Sequence, residues 1–235
     1  DDHPVESDPD LKHRLTAAAS ADRIDRELDQ LQRRVDHSVQ SVSRRFDDVV
    51  AHMEEWGYVT DWSLTERGRT LSRLFHESDM LIAEVVVNDL LEGLDAPSVA
   101  ALASVFIYEH RSSDPAPKPQ FPNPSLKTRW REILQISNRL TAAEELRGIP
   151  PHRAPDPGFI TTTFAWANGS ELFDILDDDL TAGDFVRTMK QLIDLLRQLG
   201  QVATSADGQR AATEASEALF RGIVAASSAF GSLTA

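Results

Sequence analysis

The stretch LTERGRTLSRLFHESDMLIAEVVVNDLLEGLDAPSVAALASVFIYEHR, Leu64–Arg111, reads as three helices in succession. Thr65 can cap a helix carrying Arg67 to Phe75, with Gly68 a weak spot inside it. Ser78 stands where a cap for a second helix, Asp79 to Leu91, would be. Asp95-Ala96-Pro97 is a strong start for a third, with an Asp cap and a Pro in the first turn where its missing N–H does no harm. That third helix is expected to end near Glu109. No run between these helices is bounded and alternating as a buried strand would be.

Working outward, the same grammar continues on both sides. Ile24, Leu28, Leu31, Val35, Val39, Val42, Phe46, Val49, Met53 and Trp56 recur at steps of three and four, the spacing of one apolar helix face. Residues 1–20 read as an irregular leader broken by Pro4 and Pro9. A stem or hairpin over 21–56 follows, as two helices with a break near His37-Ser38 or Ser41. Tyr58-Val59 and Trp62-Ser63-Leu64 predict a two-stranded ribbon near 58–65. Downstream, the Pro-rich RSSDPAPKPQFPNPS is a loop and Ser125 restarts a helix to about Leu146. GIPPHRAPDPG is a second connector, FITTTFAWANG a short helical segment, and Ser170 caps a further turn to about Leu176. Thr181-Ala-Gly-Asp184 has the spacing of a capping box. It opens the clearest helix of the chain, 184–203, with Phe185, Met189, Leu192, Leu196 and Leu199 on one face. A last helix is expected over about Asp207 to Ala229. The fold class is therefore all-α, a multi-helix bundle, and the absence of βαβ alternation excludes a doubly wound nucleotide-binding sheet.

Composition narrows the function. The 235 residues carry 38 acidic and 24 basic side chains, a net charge of −14, which disfavours an autonomous DNA binder. That weighs against a winged-helix regulator, although GYVTDWSLTERGR resembles the end of a wing. With no cysteine, disulfides, zinc fingers and thiol nucleophiles are excluded. No stretch approaches the roughly 20 apolar residues of a membrane span, and the acidic start DDHPVESDPD is no secretory signal. A cytoplasmic home is the default expectation. The first residue is not Met, which suits a piece of a longer protein. No Walker A loop, G-x-G-x-x-G, G-x-S-x-G or H-E-x-x-H occurs. The seven histidines never pair at i,i+4 and read as surface or supporting residues rather than ligands. Asp177-Asp178-Asp179 reads as a solvated turn before a helix start. Local basic character exists: Lys127, Arg129, Arg131, Arg139, Arg147 and Arg153 outnumber Glu132, Glu144 and Glu145 over 121–153. By pattern alone this is a solvated helix face or a nucleic-acid groove.

Four blocks in order carry a resemblance. The opening stretch is similar to a family block with a Gly-Arg turn, an acidic step, a Leu-rich helix and L-x-P-x-x-x-A-A-L-x-S. AWANG resembles A/E-W-x-x-G, TAGDFVRTMKQLIDLLRQL resembles x-E-G-S-x-I-R-x-x-R-R-L-E-E-L-L-R-Q, and FRGIVAASS resembles R-R-D-I-V-x-A-x-S. Together they resemble the C-terminal helical (DSHCT) domain of superfamily 2 DExH RNA helicases of the Ski and exosome-cofactor type, an actinobacterial member above all. The resemblance implies a DSHCT bundle over 57–235. It implies a non-catalytic module that packs on RecA-like motor domains in the same chain and lines a channel for single-stranded RNA, with DNA as an alternative. RNA-degradation proteins are further implied partners. ATP and Mg are expected on the motor domains, with no cofactor in this fragment. It also implies that 184–203 is a ratchet-like helix. Family base contacts fall on Gln191, Asp194 and Glu109, and Arg187, Lys190 and Arg197 can add backbone contacts. Eukaryotic relatives carry Arg at the position of Gln191; Gln keeps hydrogen bonding but loses charge and cation–π stacking. The ribbon becomes a structural elbow with Trp62 packed. The first 40 or so residues match the family poorly and read as the stem of an inserted arm. A helical interaction scaffold that touches no nucleic acid is the other reading.

Overall fold

The computed structural model describes residues 10–110, 118–176 and 180–231. The chain divides into two compact units, up to Ala51 and from His52 onward.

The first unit consists of most of helix α1 (Leu11–Glu55). It is one uninterrupted helix of 45 residues, where the sequence reading expected an irregular leader to residue 20 and a break near His37-Ser38. No Pro or Gly lies between Pro9 and Gly57. An internal Ser lowers helix propensity only slightly, so nothing in the segment stops a helix once begun.

The second unit begins with the last turn of α1, and Gly57 takes the left-handed φ of 73° that ends it. Strands β1 (Val59–Thr60) and β2 (Ser63–Leu64) pair antiparallel, Val59 opposite Leu64. Asp61 and Trp62 between them both have positive φ, the signature of a two-residue type I′ hairpin. That turn holds Trp62 at the tip, 75% exposed. The expectation that Trp62 packs is therefore overturned: a hairpin of two residues per strand has no inner face to receive it.

Helix α2 (Glu66–Leu71) starts at Thr65, whose hydroxyl accepts from the Gly68 N–H at 3.1 Å. Gly68 is more than a weak spot. A Cβ there would lie 2.2 Å from the Tyr58 carbonyl oxygen, so α2 and the chain before β1 touch backbone to backbone. Gly68→Ala is expected to cost roughly 1–3 kcal/mol by overpacking, read as a lowered urea midpoint at unchanged m-value.

Helices α3 (Asp79–Val87) and α4 (Ala96–Ile107) are predominantly apolar around their circumference, the mark of helices inside a core, with Glu84 the one buried charge on α3. Every residue from Ser98 to Phe106 is buried. Ala100, Ala101 and Ala103 keep α4 thin, and α5 (Pro124–Leu146), α6 (Ile160–Ala167), α8 (Ala182–Val202) and α9 (Ala206–Leu219) all pack on it. Between α6 and α8 lies the single-turn α7 (Leu172–Ile175), and after α9 comes α10 (Gly222–Gly231). Asp95 caps α4 and Thr181 caps α8 as their sequences predict, with side chains accepting from Ser98 and Asp184 N–H groups. Other boundaries differ. Asn123, not Ser125, caps α5, because Pro124 needs no N–H partner at N1. Ser78 makes no side-chain cap and α3 ends at Val87; Asp89 then takes a φ of 54° that no helix continues. Glu171 rather than Ser170 precedes α7, without a side-chain cap. The single C-terminal helix expected over 207–229 is two, α9 and α10, separated at Phe220-Arg221.

The reason for that last break is Trp166, 2% exposed on α6. Its indole N–H donates to the Leu219 carbonyl at 3.0 Å. The Arg221 guanidinium lies 3.6 Å from the centre of the ring and donates to the Trp166 and Ser170 carbonyls. Phe185 meets the ring edge-on at 5.1 Å. Gly222, φ 50°, turns the chain where a Cβ would lie 3.2 Å from the indole. Among the described residues no helix is long and apolar enough to cross a membrane.

Candidate nucleic-acid interface

Helix α8 positions the candidate site. Phe185, Met189, Leu192, Leu196 and Leu199 are buried, together with Ile193, Leu195 and Val202. This fixes the helix rotation and turns Gln191, Asp194 and Gln198, spaced i, i+3 and i+7, toward a concavity of about 490 Å³. Its other walls are Ile107 and Glu109 at the end of α4, Phe75, His76 and Glu77 between α2 and α3, and Arg153 after α5.

Three of the residues implied by the resemblance, Glu109, Gln191 and Asp194, thus line one groove, although 82 residues of sequence separate the first two. The other three do not line it. Arg197 lies beside it, 3.6 Å from Asp194. Arg187 pairs with Asp184 at 3.2 Å at the exposed helix start, and Lys190 is half-buried.

Arg153 belongs to the groove but is held by the protein. It donates to the Tyr108 carbonyl at 3.1 Å and to that of Phe106, and it pairs with Glu77 at 2.6 Å. It therefore ties off the carboxyl end of α4, where backbone oxygens lack helical partners. Much of the basic surplus over 121–153 is similarly engaged: Arg147 pairs with Glu55, Arg129 with Glu132, and Arg139 stands over the Trp56 ring, while Lys127 and Arg131 are exposed. Burial, and then Arg153, lowers the His76 pKa below its ordinary value and so favours the neutral ring. Its Nδ1 accepts from the Ser78 N–H at 3.0 Å, which a protonated ring could not do. The groove's own charges are then Glu77, Glu109 and Asp194 against Arg153.

Phe75, His76, Glu77, Ile107, Leu195 and Gln198 line the groove without having been singled out in the sequence, and Arg153 was noted only as part of the basic surplus over 121–153. Gln198 was within reach, being two helical turns from Gln191. Nothing in RLFHES separates a groove residue from a core residue. Asp177-Asp178-Asp179 lies outside the described residues.

Residues 61–227 match the model of the DSHCT (NUC185) domain. The chain belongs to the DSHCT family. It is similar to the probable helicase HelY of Mycobacterium tuberculosis, 33% identical over 95% of this chain and 26% of that protein. HelY of Mycobacterium leprae is 33% identical over the same shares. The exosome RNA helicase MTR4 of Homo sapiens is 24% identical over 86% of this chain and 20% of its own length. The chain thus spans about a quarter of the curated relatives it matches. The family match begins at residue 61, so the first 40 or so residues lie outside it, as expected of a segment that matches the family poorly, while the alignment to HelY extends over 95% of the chain.

The DSHCT domain also contains an arrangement that imitates an active site. Ser137 Oγ lies 2.9 Å from His152 Nε2, and His152 Nδ1 lies 2.9 Å from Glu144 Oε2. The order is that of a nucleophile, base and orienting acid. Ser137, however, is 3% exposed, which leaves a reacting carbonyl no room. Glu144 also accepts from the His152 backbone N–H at 3.0 Å, so the trio fastens the connector after α5 to that helix. His152 here, and His52 at the end of α1, are buried side chains, His152 in the supporting role that was one of the two readings of the histidines.

Proposed function

We propose that this DSHCT domain is the non-catalytic module of an ATP-dependent RNA helicase. In this reading it packs against RecA-like motor domains of the same polypeptide and lines the path of single-stranded RNA. One observation carries it: Glu109, Gln191 and Asp194 come from two different elements and converge on one groove. The names of the relatives, a probable helicase and an exosome RNA helicase, support it.

The chemistry of the groove favours bases over phosphates. Glu77 and Asp194 already hold Arg153 and Arg197, so among the described residues the groove offers a phosphate backbone no free cation, while its carboxylates accept from, and its carboxamides accept from or donate to, base edges. Such contacts are weak and tolerant of sequence, as a moving strand requires. ATP and Mg belong to the motor domains of the parent chain, single-stranded DNA is an alternative strand, RNA-degradation proteins are further partners, and the cytoplasm is the site of action.

The test is a parent helicase carrying Gln191→Ala with Asp194→Ala. Both residues are exposed, so folding should be preserved. Unwinding of an RNA duplex with a single-stranded tail should slow roughly tenfold, the loss expected for base contacts worth about 1.4 kcal/mol. Unchanged unwinding would favour the interaction scaffold. Tight duplex-specific binding by this chain, steeply salt-dependent, would favour the winged-helix regulator.

A further inference from the structure

Phe75 is 80% exposed, yet it is held firmly. Leu74 before it is buried in the core. Its own N–H donates to Gln198 Oε1 on α8 at 2.8 Å. The following turn is closed by the Asp79 N–H on the His76 carbonyl and by the Ser78 N–H on the His76 ring. An exposed aromatic on a pinned backbone, at the wall of a groove lined by hydrogen-bonding side chains, is the arrangement on which a nucleobase stacks. The other strongly exposed aromatics lack this setting. Trp62 is at the hairpin tip and Phe173, 92% exposed, is on the single-turn α7; neither lines the groove.

We infer that Phe75 is a base-stacking platform, held in place by Gln198, from which a single-stranded base presents its edge to Gln191 and Asp194. The inference rests on the single-strand reading above and adds a contact outside the ratchet-like helix. It explains how a groove with surplus carboxylates can hold a polyanion: the apolar face of the base supplies the attraction, and the phosphates stay outside. The stack reads no sequence, because every base has a π-face.

The experiment is photocrosslinking of this chain to an oligouridine carrying one 5-iodouridine, with the adduct located by mass spectrometry and affinity measured on the same strand. The expected adduct is on the peptide containing Phe75, and unlabelled oligouridine competes it away. Phe75→Ala should abolish it and weaken binding roughly 5- to 100-fold, the range for one stacked base. Phe75→Tyr should keep both, and the melting temperature should hold in each variant because the ring contributes little to the core. Gln198→Ala, which frees the Phe75 N–H, should reduce the adduct. Groove adducts and affinity that survive Phe75→Ala would overturn the platform while leaving the single-strand reading intact. Adducts only at Trp62 or Phe173, or none that oligouridine competes, would overturn both.

Discussion

Trp166→Ala is expected to lower the stability of the second unit by about 3–5 kcal/mol, the upper range for emptying a core position. The side chain is essentially buried, so its removal loses the transfer energy of a large ring and leaves a cavity against Phe185. It also frees the Leu219 carbonyl and removes the surface on which Arg221 lies. The C-terminal helix α10 should feel this most, because Arg221 and Gly222 form its entry. Denaturant unfolding followed by circular dichroism measures the loss, and hydrogen exchange should show the protection of 222–227 falling first. Trp166→Phe keeps the apolar body and should cost about 1–2 kcal/mol for the unpaired carbonyl and lost contacts. A loss under about 1 kcal/mol for the alanine would mean that Trp166 does not join α6 to the chain after α9.

Arg67→Met is expected to cost about 3–5 kcal/mol, for a different reason. Glu84 sits inside α3, 3% exposed, and its carboxylate accepts from Arg67, from the Tyr58 hydroxyl at 2.7 Å and from Asn88 Nδ2 at 3.2 Å. Removing the cation leaves a buried carboxylate without a counter-charge. The reverse change is milder. Glu84→Gln leaves Arg67, whose side chain is 38% exposed, in reach of water, and the amide still accepts from Tyr58. Arg67→Met should therefore be the worse of the two, and the double variant should recover much of the difference. Equal losses would show that packing, not charge, holds the cluster. Tyr58 adds a pH signature. Burial, then the hydrogen bond to Glu84, raises its pKa far above the ordinary value near 10. A raised folded pKa contributes stability that is full below the unfolded value and is lost as pH rises beyond it. The wild type should therefore lose stability above about pH 10 more steeply than Tyr58→Phe does.

These clusters explain why the family blocks look as they do. The Gly-Arg turn that opens the first block places Gly68 against the Tyr58 carbonyl and Arg67 on Glu84. AWANG and FRGIV, over 50 residues apart, are two halves of one contact between Trp166 and Arg221. A motif reader sees both as punctuation; the coordinates show that they are packing.

What the sequence determined by itself was local. Thr65, Asp95 and Thr181 cap their helices because a side-chain oxygen needs only an N–H three residues on. The buried face of α8 follows from spacing alone, and so does the all-α class. Where two local signals competed, local reading failed: Pro124 favoured Asn123 over Ser125 as a cap, and the serines of α1 did not interrupt it. Tertiary structure alone decided the rest. It set the break between α9 and α10, which depends on a tryptophan on another helix, and the exposure of Trp62. It also gathered Phe75, Glu109, Arg153 and Gln198 around one groove. The bond from Phe75 to Gln198 joins residues 123 apart in the chain. No periodicity reaches that far, because a helix repeats every 3.6 residues and carries no record of which other helix will pack against it.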